Sequence, residues 1–470
     1  MAVETEATRP ASRRRRVSRR EVLGVALAGG AGVAAIRLLG IGAPSAPSAA
    51  PTTGKTDWIS PLGGESARVS QLLRRVAFGA TPDELDQALS DGYAKTVQRL
   101  LETPPAVPPV LAGADQAAKG NAIRVQSLQK WWIDWMLATP TPFAEAMTLF
   151  WHGHFTSDYR KVGLQTPWIY WQNLTWRKHA LGDLKSFLLA VTSDPAMLRY
   201  LDLGNSTGQN PNENYSRELM ELFTMGPGNF TEDDVRAAAK ALAGWREPQP
   251  GSAGTVGIFD PKRAFKGGPI TFLGKTGRFD TEAVINAILA QPATATFIVQ
   301  RLLARLAMNN PAPAYVNRLA DGFRRSKYSL KQLLHDILTS GEFNAAPTYR
   351  SLVKSPVEFM VHALKAVKAP ELSQLAVQGG GGMGQNLFDV PDVGGWPVNE
   401  AWISSNTVLS RVNFVTGLLN GLKSVPPSSQ APAQHLESVV SPATAQLLNG
   451  ASDDRERWFI VLASPEFQLK

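Results

Sequence analysis

The 470-residue sequence contains no cysteine. That absence excludes disulfides, thiolate-bound zinc, iron–sulfur clusters, covalently attached c-type haem and a lipid-modified N-terminal cysteine. Without such links the chain must draw its stability from a buried core, and 44% hydrophobic against 19% charged residues is an ordinary globular balance. Long apolar runs are also lacking. The nearest, ending at Ile41, is diluted by glycine and carries Arg37, which makes it weak as a membrane span. Net basic charge is small beyond the N-terminus. The formal net charge is +8, but up to Ser45 there are eight Lys+Arg against three Asp+Glu, which leaves about +3 for the rest. A nucleic-acid partner needs a clustered basic patch on the folded domain and is not expected.

What stands at the N-terminus reads as an export signal over residues 1–50. Arg13 to Arg16 form a basic run, and Ser18-Arg19-Arg20-Glu21-Val22-Leu23 makes a twin-arginine pattern. A mildly apolar stretch follows, and Ser48-Ala49-Ala50 offers small residues for cleavage. The alternative is an uncleaved anchor. Export by the twin-arginine translocase delivers a folded protein to the periplasm, cell envelope or exterior, and permits a cofactor loaded beforehand without requiring one. Residues 51–64 read as a linker.

From residue 65 to 470 the pattern is helical almost throughout, and the expected fold is all-α: a large multi-helix domain with a small β-hairpin insertion at 247–280. Val69, Leu72, Leu73 and Val76 recur at helical spacing. Thr81-Pro82-Asp83-Glu84 opens a helix expected to reach Glu102, and Thr231 to Asp234 is a capping box for another. The insertion carries two β-like runs, Thr255–Phe259 and Ile270–Leu273, read as one hairpin. Residues 379–396 read as a glycine-rich loop.

The densest polar chemistry lies in NPNENYSRELMELFTMG, residues 210–226. Asn210 as cap, Pro211 at the first turn and Glu213 reaching back predict its start, and Gly226-Pro227-Gly228 its end. Tyr215, Leu219, Leu222 and Phe223 share one face; Glu213, Arg217 and Glu221 form a ladder opposite. An ordinary i,i+4 ladder explains most of this. Glu218 differs, because at the edge of the apolar face a half-buried carboxylate has a raised pKa unless paired. His152-Gly153-His154 offers two imidazoles that converge on a divalent metal only if the helix ends there, with Glu218 or Glu221 as a third ligand. The alternative is two buried, hydrogen-bonded histidines. Three formal motif matches lack their context. Ser206 in Gly204–Gly208 has no preceding strand, Gly379-Gly381-Gly384 follows no strand, and Gly274-Lys275-Thr276 lacks the first glycine of a phosphate loop.

LLRRVAFGATPDEL (72–85), FWHGHFTS (150–157), the 210–226 stretch, TFLGKTGRFD (271–280), QPATATFI (291–298), SPVEF (355–359) and LFDVPDVGGWPVNEAWIS (387–404) resemble, in this order, the domain-of-unknown-function 1800 family. The resemblance implies an exported bacterial protein, often encoded beside a phosphatase- or sulfatase-like partner. This chain departs from the pattern at Phe223, where relatives typically carry histidine, and at Arg263-Ala264-Phe265, where histidine often follows the Phe-Asn-Pro-like motif. Two functions follow as expectations. One is a hydrolase acting on a cell-envelope or extracellular polymer, with Glu218 as general acid/base, Arg217, Glu221 and Asn214 around it, and His152 and His154 on a metal or the substrate. The other is a non-catalytic binding or assembly protein that uses tryptophans, including Trp396 and Trp402, beside an exported catalytic partner.

Overall fold

The computed structural model describes residues 59–114, 123–249 and 255–470. The export segment and most of the 51–64 linker lie outside the described residues. Within them, 22 α-helices and two small two-stranded antiparallel sheets make a mostly-α fold with a β insertion, as the pattern predicts. No single helix among the described residues is long and apolar enough to cross a membrane. Thr281–Leu289 and Pro292–Leu306 pass that test only as a pair, bent by 76°.

Local signals set most helix starts. Thr81, Thr231 and Ser355 each form a capping box, accepting from the backbone N–H three residues on while Glu84, Asp234 and Glu358 reach back. The expected helix over 82–102 is two, Pro82–Asp91 and Tyr93–Glu102, because Gly92 turns the backbone at φ +74 between them. The expected hairpin is also two. Strand β1 (Trp245–Arg246) pairs with β2 (Ile258–Phe259), and β3 (Ile270–Phe272) with β4 (Lys275–Gly277), so the two β-like runs each find a partner next door rather than each other.

Three helices that position the candidate site are tied together by buried charge. Glu145, in Pro142–His154, accepts from Arg177 Nε and Nη2, both at 2.7 Å, and from Trp132 Nε1 at 2.5 Å. Glu145 and Arg177 are almost wholly buried, so the bidentate pairing satisfies charges that would otherwise be costly. Trp132 belongs to Val125–Ala138 and Arg177 to Trp168–His179, so one carboxylate joins all three.

The glycine-rich stretch corrects the loop expectation. Residues Gln374–Met383, with four consecutive glycines, form a helix packed on Ser405–Gly421 and Pro356–Ala366. Glycine in a helix interior costs about 1 kcal/mol relative to alanine, and packing overrides that penalty here. A Cβ on Gly379 would meet Met360 Sδ at 3.2 Å, one on Gly382 would meet Ser410 Oγ at 3.1 Å, and one on Gly380 would stand 2.6 Å from the Gln385 carbonyl oxygen. Only bare backbone allows the approach.

Asp194 is the outstanding buried carboxyl of the core. Burial pushes it up to about 7, against the pull of the Met197 N–H and the Gln172 amide, which it accepts at 2.8 and 2.7 Å. A folded pKa raised above the unfolded value means that its contribution is full below about 4 and is lost as pH rises through about 7. Asp194→Asn keeps the cap acceptor and removes the ionisation. Its stability relative to the parent should therefore rise by about 1–3 kcal/mol between pH 5 and pH 8 in urea melts, whereas a flat difference would refute the assignment. In the glycine helix, Gly380→Ala should lose about 1–3 kcal/mol through overpacking. Gly381→Ala meets only the Asn386 side chain, at 3.4 Å, and should be neutral or gain up to about 1 kcal/mol in the same melts.

Candidate functional site

The helix predicted within residues 210–226 spans Asn214–Glu221, shorter than expected. Asn210 and Glu213 do not cap it. The Asn212 side chain accepts the Asn214 N–H at 2.9 Å instead, and Glu213 occupies the cap position without a side-chain capping bond. The helix also stops early, at Glu221 rather than at the predicted Gly226. Gly226, at φ +80, closes the turn that follows, its N–H donating to the Met220 carbonyl at 3.1 Å. Tyr215, Leu219 and Phe223 are fully buried, and Leu222 is half-buried.

The polar residues of this helix separate into two groups. Arg217 is committed, donating to both carboxylate oxygens of Glu232 at 2.7 Å and to Glu213 at 3.4 Å. These pairs hold it in the charged form. Glu221 adds to its field, and Asn214 donates weakly to Asp202 at 3.4 Å. Glu218 is half-buried, and among the described residues its carboxylate has neither a hydrogen bond nor an ion pair. Burial raises its pKa, Glu221 adds to the rise, and Arg217 opposes it. Burial chiefly keeps the Tyr200 phenol protonated, and the negative charges of Asp158, Asp392 and Glu218 add to that. Ser206 is buried, and its Oγ accepts the Asn212 N–H at 3.0 Å.

His152 and His154 sit in the last turn of Pro142–His154, still helical, and diverge. His152 lies among Trp132, Phe388 and Trp396, and its Nε2 accepts the Phe388 N–H at 3.2 Å. His154 lies among Phe150, Phe155 and Phe223 and makes a 3.0 Å bond from Nε2 to the Phe223 carbonyl. Burial lowers both to about 3, so both rings are neutral at ordinary pH. No group of three or more His, Cys, Asp or Glu side chains among the described residues is placed to hold a metal ion. Gly153 between them has a packing task. A Cβ there would meet the Trp396 ring at 3.3 Å, and one on Gly395, at φ +97, would collide with the Gly153 carbonyl. The Gly395-Trp396 loop lies directly on this helix.

Beneath that loop is a cavity of about 110 Å³, lined by His154, Arg301, Arg305, Glu358, Lys470, Trp396, Trp402 and apolar neighbours such as Phe150. None of Asn214, Arg217, Glu218 or Glu221 lines it. Its floor is an ion cluster. Glu358 Oε1 meets Arg305 Nη1 and Lys470 Nζ, both at 2.5 Å, while Oε2 accepts the Ser355 N–H at 2.8 Å. Burial alone would raise this carboxyl, but the two cations outweigh it and hold it below the usual range. Lys470 is pushed down by burial and by Arg305, against the attraction of Glu358. It is delivered by a short antiparallel pairing in which its N–H donates to the Leu352 carbonyl at 2.8 Å.

The family model described as "Protein of unknown function (DUF1800)" matches residues 71–469. The chain belongs to that family. No curated protein and no solved structure matches it. In this DUF1800 chain the cavity gathers side chains from three of the stretches that carried the resemblance, 150–157, 355–359 and 387–404, with Arg301 and Arg305 from the helix that begins inside a fourth, 291–298. Sequence reasoning missed Arg301, Arg305, Glu358 and Lys470 as a group. The capping spacing of Ser355 and Glu358 was visible, but nothing local announces that a cap carboxylate also meets two distant cations.

Removing that carboxylate should be severe. Glu358→Gln leaves Arg305 and Lys470 buried without their counter-charge and should cost about 3–5 kcal/mol in urea unfolding, with reduced packing around Trp402. A loss below about 1 kcal/mol would show that the ion cluster does not hold these segments together.

Proposed function

We propose that this protein is a non-catalytic binding protein, exported by the twin-arginine route to the cell envelope or exterior, where it holds a polymer or ligand for a phosphatase- or sulfatase-like partner. The observation that carries this reading is the chemistry of the cavity. A catalytic acid or base needs a carboxyl with a raised or near-neutral pKa facing the substrate. The carboxylate that lines this cavity, Glu358, is instead held ionised by Arg305 and Lys470. Aromatic walls with fixed charges around them recognise a ligand without needing to transform it.

The hydrolase reading retains one specific support, the unpaired, half-buried Glu218 beside Tyr200, Asp158 and Asp392. It then acts on an open face, separate from the cavity.

Sedimentation with isolated envelope polymers tests the choice. The full-length protein should be retained without releasing soluble fragments, and Trp396→Ala should weaken retention at least tenfold. Fragment release that Glu218→Gln abolishes would overturn the binding reading in favour of the hydrolase.

A further inference from the structure

The cavity carries more information than its shape, because several of the groups around it are incompletely paired. Arg301 is half-buried and makes neither a hydrogen bond nor an ion pair among the described residues, and burial disfavours its charge. Its charge in turn acts on His154. Arg305 and Lys470 share a single oxygen of Glu358. The lining therefore holds more positive than negative charge. Buried polar atoms are nearly always bonded, and exceptions call for an explanation such as an absent ion or ligand.

Three such exceptions line this cavity, one of them Arg305 Nη1, which lies against Glu358 without making a hydrogen bond. Trp396 Nε1 is buried with no partner, and so is His154 Nδ1. The His154 Nε2 faces a carbonyl oxygen and must donate to it. In the neutral ring Nδ1 is then a lone-pair acceptor. The unsatisfied set is a guanidinium and an indole N–H, which seek an acceptor with negative charge, beside one acceptor that seeks a hydroxyl.

We propose that the cavity recognises a small hydroxy-carboxylate group, its carboxylate on Arg301 and the Trp396 N–H and its hydroxyl on His154 Nδ1. A planar carboxylate matches the fork of one unpaired guanidinium, whereas a phosphate or sulfate dianion would need a second free cation. Phe150, Trp396 and Trp402 supply walls for the ligand's carbons. A cavity of about 110 Å³ lies well under the roughly 300–1,000 Å³ of sites for drug-sized ligands, so it takes a small free acid or the acidic end of a longer molecule. This rests on the cavity being the binding site proposed above.

Calorimetric titration of the full-length protein tests the chemistry with size-matched probes: lactate, propionate lacking the hydroxyl, neutral propane-1,2-diol, and inorganic phosphate. Lactate should bind saturably at one site, propionate at least tenfold more weakly, and the diol not at all. Arg301→Gln should lose lactate at least tenfold while melting no lower than the parent, since it removes an unpaired charge. Arg301→Lys should keep part of the affinity. Lactate that displaces the protein from envelope polymer identifies a polymer end as the source, and lactate that binds without displacing it identifies a free acid. No saturable lactate binding, equal binding by Arg301→Gln, or tighter binding of phosphate would overturn the proposal. If lactate fails while Trp396→Ala still weakens polymer retention, the anion chemistry is wrong and the binding reading stands. If Trp396→Ala changes nothing either, both fall.

Discussion

One carboxylate, Glu358, sets the arrangement on which the cavity depends. It closes the N-terminal cap of Pro356–Ala366 and compensates Arg305 from Pro292–Leu306 and Lys470 from the segment beside Leu352. Three parts of the chain far apart in sequence meet at one oxygen atom. Each would carry an uncompensated buried charge without the others, and such a charge costs several kcal/mol. The same economy recurs at Glu145, which satisfies Arg177 and Trp132 and so fixes the helix that carries His152 and His154. The apolar core supplies the bulk of stability, and these two carboxylates tie together helices that line or flank the cavity.

The central helix and the cavity divide the polar chemistry of the molecule. Arg217 is spent on Glu232, so the density of charge that marks residues 210–226 in the sequence is largely surface pairing. Its contribution to the cavity is indirect. Phe223 sends its carbonyl to His154, and this single bond decides which imidazole nitrogen is left as an acceptor. Phe223 stands where relatives are expected to carry histidine, and here its ring packs against Phe155 within the core.

Helix positions were legible because capping is local: Thr81 with Glu84 and Thr231 with Asp234 announce their helices within four residues. Features governed by distant partners were not. The strand at Ile270 is the exception, since its partner Lys275–Gly277 is local, reached across the two-residue Leu273-Gly274 turn. The glycines at 379–382 read as loop because propensity says so, and only close packing against Met360 and Ser410 makes a helix of them. The paired histidines converge on a metal only if the helix ends before His154, and it does not. The cavity, too, depends on distant partners. Its ionic members, Arg301, Arg305, Glu358 and Lys470, are each unremarkable where they stand in the chain.

The glycine helix has a kinetic consequence. Gln374–Met383 packs against Ser405–Gly421 through positions that offer no side chains of their own. A segment with four consecutive glycines cannot hold helical structure alone, since each adds to the backbone entropy that nucleation must overcome. It must condense onto its neighbours after they have formed, and it should be among the first helices to exchange its amide hydrogens. Gln385 directly follows it and lines the cavity while accepting the Val357 N–H. One wall of the cavity therefore depends on a segment expected to form after the ionic floor and to open before it.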